Sequence, residues 1–261
     1  MAVSVIGIGA SWLSSAVTGA AITAGYATAT AYIAGGLVGT VVAGALTGLV
    51  NKGQGGDTDP IADAQASALI NKASNNAPLP VIYGLRKVGG TRVFMEVSGT
   101  DNEYLHVVIA MSEGEVNSFE NVYLNDIIST DSRFSGVLNV YTHTGADNQT
   151  ADSNLVASVP NWTSAHRLRG TSYVYVKLKF DIDAYPQGLP TITADLKGTK
   201  VYDPRNSATA WSDNPALCVR DYLTNARYGR GIATSLIDDA SFVVAANYCD
   251  TTVNIGGATV K

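Results

Sequence analysis

Residues Tyr104–Met111 read YLHVVIAM, a nearly continuous apolar run. A run of this length predicts a buried β-strand. Short β-type runs separated by Gly, Asn and Asp lie on either side of it: LPVIYG at 79–84, TRVFMEVSG at 91–99 and NVYLND at 121–126. Together these runs predict a β-rich fold that begins near Pro78.

Alternation of apolar and polar residues predicts further strands. Val137–Thr142 is one, and Ser172–Phe180 is another, in which the apolar residues Val174, Val176, Leu178 and Phe180 alternate with Tyr173, Tyr175, Lys177 and Lys179. The segment between them, residues 143–170, is polar and poorly periodic, which predicts a long insert. Thr191–Leu196 and Lys200–Tyr202 are joined by Lys197-Gly198-Thr199, which predicts a hairpin.

Capping signals predict short helices. Asp59-Pro60 places a capping acid before a proline and predicts a helix that runs to about Ala73. Asn214-Pro215 repeats this signal and opens a helix that Tyr228-Gly229 is predicted to end. Asp238 or Asp239 caps the last helix, in which Phe242, Ala246 and Cys249 recur at helical spacing.

The first 51 residues, Met1–Asn51, contain no Asp, Glu, Lys, Arg or His. They predict an apolar helical segment, broken at Gly35-Gly36, that contacts either lipid or other protein chains. Gly35 and Gly39, and then Gly44 and Gly48, form small-xxx-small pairs, which allow helices to pack closely. The segment therefore predicts a plug or anchor inside a protein channel; a membrane-inserting hairpin is the alternative.

The net charge of −5 argues against a nonspecific nucleic-acid clamp, which needs clustered Lys and Arg. It suits a surface past which DNA slides without binding. Cys218 and Cys249 lie in apolar helical patterns and are predicted to be reduced core residues, with a disulfide as the alternative. No Cys/His spacing typical of zinc is present.

Motifs for covalent chemistry are also missing. The sequence contains no GxxxxGK[ST] loop, GxSxG elbow or HExxH helix. His143 and His166 are predicted to be surface loop residues without an orienting acid, and the paired acids Asp181/Asp183 and Glu113/Glu115 to lie in solvated turns. We therefore predict a protein without enzymatic activity, cofactor or metal. A cell-wall hydrolase that uses these acids and histidines is a less favoured alternative.

Several runs carry a family resemblance. NAPLPVIYG at 76–84, with Arg86 and Arg92-Val93, resembles the C-terminal end of tail assembly protein I of lambda-like siphophages. From Val107, VVIAMSEGEVNSFENVYLND is similar to the opening of the host-specificity protein J family, and the most specific similarity to its hub lies between Trp211 and Asp250. The motif residues that carry the resemblance are Pro80, Tyr83, Gly84, Glu113, Gly114, Pro204, Arg205, Trp211, Asn214, Pro215, Tyr228, Gly229 and Cys249.

The resemblance implies an α+β fold of β-rich hub domains, with mixed or antiparallel sheets, partly open barrels and few helices. It implies a structural component of a siphophage tail tip: a trimeric hub that closes the tail tube and takes part in host attachment and DNA ejection. The expected partners are a distal tail protein ring, the tape measure protein and tip fibre or assembly proteins. Phage DNA would pass through without sequence-specific binding, and the host membrane could be contacted during ejection.

The expected domain organisation follows from these signals. Residues 1–51 form the plug or anchor, and 52–77 a linker and short helix. Residues 78–205 form a β-rich hub region with the insert at about 143–170, and 206–261 a helix-containing hub region that continues in a longer polypeptide. The expected location is the tail tip of the virion, after assembly in the host cytoplasm. A pore-forming protein that inserts the 1–51 hairpin into a membrane is the alternative function.

Overall fold

A computed structural model describes residues 69–73, 78–255 and 258–260. The strands are β1 (Leu85–Val88), β2 (Thr91–Ser98), β3 (Tyr104–Glu113), β4 (Val116–Leu124), β5 (Ile127–Ile128), β6 (Leu138–His143), β7 (Thr171–Lys179), β8 (Ile192–Asp203), β9 (Ala208–Trp211), β10 (Val253–Ile255) and β11 (Ala258–Val260). The α-helices are α1 (Ser153–Ser158), α2 (Pro215–Thr224) and α3 (Asp239–Cys249), and short 3₁₀ turns lie at Thr100–Asn102, Ser132–Phe134 and Thr234–Leu236.

Two antiparallel sheets form the body of the protein. One has the order β2-β3-β7-β6, and the other β1-β8-β4-β5, with β9 also paired to β8. β10 and β11 form a separate antiparallel pair. The prediction of a β-rich fold with few short helices is confirmed. The predicted helical segment at 1–51, with Gly35, Gly39, Gly44 and Gly48, lies outside the described residues.

The main core lies between the two sheets, and β3 shows why the central run is so apolar. Leu105, Val107 and Ile109 of β3 point into this core. β7 of the same sheet and β4 and β8 of the other sheet contribute the remaining strand residues. Val108 points the other way, into a second cluster under the segment that follows β6. Since both faces of β3 are covered, a continuous apolar run is required rather than an alternating one.

The segment between β6 and β7 contributes to the second cluster, although its sequence is polar and poorly periodic. It contains α1, and Leu155, Val159 and Trp162 are buried against the outer face of the four-stranded sheet. Tyr173 and Tyr175 of β7 are their partners across this contact. The valines of β7 therefore face the main core while its tyrosines face the insert.

The predicted hairpin at 191–202 is wrong, because the whole stretch forms the single strand β8. Gly198 is required for close approach rather than for a turn: an added Cβ would lie 2.0 Å from the carbonyl oxygen of Ile82. At this point the N–H of Gly198 donates to Gly84 O at 2.8 Å, and that of Thr199 donates to Ile82 O at 2.7 Å. Because Gly198 has no side chain, the segment Ile82–Gly84 can cross β8 at this position.

Two predicted helix ends also differ from the structure. Residues 69–73 form a turn and a short bridge rather than the end of the helix predicted to run from Asp59 to about Ala73, because the Asn71 side chain pairs with the Ile192 backbone. The helix opened by Asn214-Pro215 ends at Thr224, since the side chain of Asn225 accepts hydrogen bonds from the N–H groups of Arg227 and Tyr228. Asp238 caps α3 as predicted.

A candidate assembly interface

The predicted motif residues meet largely at one junction, where the segment 78–84 and the end of β3 contact α2 and the loop that follows it. We call this the strand–helix junction and define it by Pro80, Tyr83, Glu113, Trp211 and Tyr228. Asn214 and Pro215 open α2 at its edge, as the sequence predicts. Pro204, Arg205 and Cys249 lie at a second locus, where the β8–β9 turn contacts the end of α3.

Two tyrosines share one carboxylate at the strand–helix junction. The hydroxyl of Tyr83 donates to Asp221 Oδ2 at 2.6 Å, and that of Tyr228 donates to the same oxygen at 3.0 Å. Burial and the charge of Asp221 raise the pKa of Tyr228 to about 12, and burial and Asp221 also raise the pKa of Tyr83. Both phenols therefore stay protonated and fasten the segment 78–84 to α2.

An ion pair and a backbone contact extend this junction to β3. Arg227 contacts Glu113 at 2.5 Å, and the N–H of Glu113 donates to Pro80 O at 2.9 Å. Gly114 has a φ of 82°, which favours glycine, and it lies beside the Tyr228 ring. The motif residues around Glu113-Gly114 thus dock the loop after α2 onto the end of β3.

Two glycines fix the backbone on the other side of the junction. Gly84 O accepts a hydrogen bond from the Trp211 indole at 3.3 Å. Gly229 packs so tightly that an added Cβ would lie 1.9 Å from the carbonyl oxygen of Tyr222. Any side chain at Gly229 would push the loop away from the end of α2.

At the second locus, Arg205 joins the β8–β9 turn to α3. Its guanidinium contacts Asp203 and Asp250, each at 2.7 Å. The hydrogen bonds from Arg205 lower the pKa of Asp203, so this carboxylate keeps its charge in acid. Cys249 is half-buried nearby, and both Cys218 and Cys249 are free thiols.

Arg220 was not among the predicted site residues, yet it is only 5% exposed. Its guanidinium donates to both carboxylate oxygens of Asp239 on α3, at 2.7 and 3.0 Å, and lies 4.6 Å from the centre of the Tyr202 ring. An arginine in an apolar helix usually predicts a solvated face. The signal that could have identified it is the acid in the first turn of α3, which forms a bidentate pair with Arg220.

Large apolar side chains are exposed on α2, on α3 and in the short 3₁₀ turn between them. We call this set the apolar helical surface and define it by Val219, Tyr222, Leu236, Val244 and Tyr248. Leu236 is 78% exposed, Val244 69% and Tyr248 81%. Ala246 is the fully buried residue of α3, and no charged residue occurs in this helix between Ala240 and Cys249. A helix that is apolar on several faces but exposed is typical of a protein contact surface.

The prediction for His143 is wrong, since this histidine has an orienting acid. Its Nε2 lies 2.7 Å from Asp152 Oδ2, and its ring stacks on Tyr173 at 4.3 Å. Burial alone would raise the pKa of Asp152, but hydrogen bonds from His143 and from the N–H of Leu155 outweigh it and lower this pKa. Asp152 also caps α1, so the pair holds the insert on the sheet. His166 is exposed and accepts a hydrogen bond from the N–H of Thr163.

The described part of the chain also bears on membrane and metal binding. No helix there is both long and apolar enough to cross a membrane. The same residues bring together no cluster of three or more His, Cys, Asp or Glu side chains that could hold a metal ion.

Comparison with known proteins identifies a relative among phage tail components. The chain is 24% identical to the baseplate hub protein pb3 of Escherichia phage T5, in a 216-residue alignment that covers 59% of this chain and 23% of that protein. The chain is similar to a phage tail hub protein. This supports the broad part of the predicted resemblance, and nothing in it singles out the host-specificity protein J family.

The other comparisons add little to this result. A chain in the virion of a native gene transfer agent particle superposes on 89% of this chain and 52% of its own length, with 18% identity and a TM-score of 0.43. This TM-score is too low to establish a common fold. No protein-family model matches the sequence. The chain spans about a quarter of the length of the hub protein that it matches.

Proposed function

We propose that this chain is a structural component of a long non-contractile phage tail, where it forms part of the central hub that closes the tail tube. The observation that carries the proposal is the sequence similarity to a baseplate hub protein, which extends over 59% of the chain. The apolar helical surface supports it, because a hub must contact neighbouring proteins.

The finer parts of the proposal rest on the resemblance to the protein J family. Three copies would surround the tail axis and contact the distal tail ring, the tape measure protein and tip fibre or assembly proteins. The hub would take part in host attachment and genome ejection at the tail tip, after assembly in the host cytoplasm. DNA would pass without sequence-specific binding, in keeping with the net charge of −5. The hub would perform no covalent chemistry.

The apolar helical surface gives this proposal a mutational test. Val244→Ser with Tyr248→Ser removes two large exposed apolar side chains from α3 without changing a buried contact. We expect the variant to fold normally and to enter phage particles at least about ten-fold less efficiently, since a tyrosine that acts as an interface hot spot contributes about 2 kcal/mol or more. Quantitative immunoblotting of purified particles measures this incorporation.

Ile182→Ser is the matched control, because Ile182 is 54% exposed but lies in the loop that follows β7, outside α2 and α3. Its incorporation should match that of the wild type. Equal incorporation of the α3 variant would refute the role of the apolar helical surface. Purified particles that contain no wild-type chain at all would refute the proposed function itself.

A further inference from the structure

Arg92, at the start of β2, is a half-buried arginine that forms no ion pair within the described part of the chain. Burial lowers the pKa of its guanidinium, and no described carboxylate counteracts this effect. Arg220, which is buried more deeply, has both carboxylate oxygens of Asp239 beside it. Because a guanidinium removed from water requires a counter-charge, Arg92 points to a missing anionic group.

A cavity of about 170 Å³ lies beside this arginine, and we call it the Arg92 cavity. Val107 and Ile109 of β3 form one wall, and residues 189–192 form another. Arg92 is the charged residue of a lining that is otherwise mainly apolar. A cavity of about 150 Å³ with apolar walls is large enough to hold benzene. The Arg92 cavity therefore has room for a ligand with one small apolar group.

Hydrogen bonds fix the walls of the Arg92 cavity. The side chain of Asn71 donates to Ile192 O at 2.7 Å and accepts from the N–H of Ile192 at 2.6 Å. The N–H of Arg92 donates to Lys72 O at 2.8 Å, which holds the start of β2 against the same segment. Because the Asn71 amide is already paired, the Arg92 guanidinium is the charged donor that remains for a ligand.

We propose that the Arg92 cavity binds a carboxylate that carries a small apolar group. A guanidinium and a carboxylate match in planar shape and form two parallel, charge-assisted hydrogen bonds. The apolar walls would contact the rest of the ligand, which favours a monocarboxylate over a phosphate, whose additional charged oxygens would lose water without gaining partners. The inference does not depend on the proposed hub function.

Two sources can supply this carboxylate: a free small molecule, or an aspartate of this chain outside the described residues. Asp57, Asp59 and Asp63 are the acids that precede Leu69 in the sequence. A triple variant in which all three are changed to Asn separates the two sources. If the ligand is a free molecule, the triple variant should bind an added carboxylate as the wild type does. If an aspartate of the chain occupies the cavity, the triple variant should bind it at least about ten-fold more tightly, because an internal competitor is removed.

Benzoate and benzamide are the added probes, since both have a ring and a planar head group but only benzoate is charged. Isothermal titration calorimetry of the whole chain, wild type and triple variant, measures their dissociation constants. We expect benzoate to bind in the millimolar range, as its small size allows. Benzamide should bind at least about ten-fold more weakly, because hydrogen bonds between two charged groups are stronger than those to a neutral amide.

Two further variants locate the site, in whichever background binds benzoate more tightly. Arg92→Met removes the guanidinium and keeps an unbranched side chain, whereas Arg86→Met removes the same charge from an exposed position of β1 outside the cavity lining. Benzoate binding should be lost in the first variant and retained in the second. The proposal is overturned if neither background binds benzoate more tightly than benzamide, if Arg92→Met leaves the benzoate affinity unchanged, or if inorganic phosphate binds more tightly than benzoate.

Discussion

Removal of the Asp239 carboxylate should destabilise the protein by about 2 kcal/mol. A fully buried ion pair costs roughly 3–5 kcal/mol when one partner is removed, and a surface pair about 0–1. The Arg220–Asp239 pair lies between these limits, since Arg220 has a 6% exposed side chain while that of Asp239 is 43% exposed. Asp239→Ala therefore leaves a buried guanidinium beside the Tyr202 ring without its carboxylate partner.

Urea unfolding followed by circular dichroism measures this change, with a double-mutant cycle to isolate the pair. Arg220→Met keeps the buried stem but has no charge, so the double variant should be more stable than the sum of the single effects predicts, by about 1–2 kcal/mol. Glu115→Ala is the matched control. It breaks the Lys200–Glu115 pair at 3.1 Å, whose side chains are 40% and 46% exposed, and should cost less than about 1 kcal/mol.

Two results would contradict this account. Asp239→Ala could prove no more destabilising than Glu115→Ala, which would mean that the guanidinium is solvated. Alternatively, the costs of Asp239→Ala and Arg220→Met could be additive, which would mean that the two side chains do not interact in the folded protein.

Three further predictions concern His106, Gly198 and Cys218. Burial, with a contribution from Lys177, lowers the pKa of His106 to about 4, so the unfolded chain binds a proton before the folded one as the pH falls. The free energy of unfolding should therefore decrease by up to about 3 kcal/mol between about pH 6.5 and pH 4. His106→Gln should reduce this pH dependence in denaturation curves, and an unchanged pH dependence would contradict the role of His106. Gly198→Ala places a Cβ 2.0 Å from the carbonyl oxygen of Ile82, so the segment around Ile82 must move away from β8, and the change should destabilise the protein by more than about 2 kcal/mol in thermal unfolding. Gly136→Ala is the comparison, because Gly136 has a φ of 77° and open space around it and so tests backbone strain alone. Burial raises the pKa of the Cys218 thiol, so iodoacetamide should modify it at pH 8 more slowly in the folded chain than in urea; equal rates would refute this.

The elements that the sequence predicted correctly are those fixed by local signals. The Asn214 and Asp238 caps satisfy N–H groups two and three residues away, so neighbouring residues identify them. The central strand was predictable because its burial on both faces leaves a continuous apolar run at Tyr104–Met111. In both cases the determining interaction, or its compositional signature, lies within a few residues.

The remaining features depend on contacts between distant parts of the chain. Gly198 resembles a turn residue, but the backbone of Ile82, more than a hundred positions earlier, determines its role. Arg220 is buried because of an acid on the next helix. The insert between β6 and β7 packs on the sheet because Trp162 contacts Phe94 of β2, with the two ring centroids 5.0 Å apart. No local pattern encodes such pairings, so the strand–helix junction could be predicted as a set of motif residues but not as a contact.

Electron microscopy of purified phage particles, with gold-conjugated antibody Fab fragments raised against the folded body at residues 78–252, tests the hub assignment most directly. We predict gold label confined to the end of the tail that lies opposite the capsid. Label on the capsid, label along the whole tail tube, or unlabelled particles together with antigen in the host membrane fraction would contradict it.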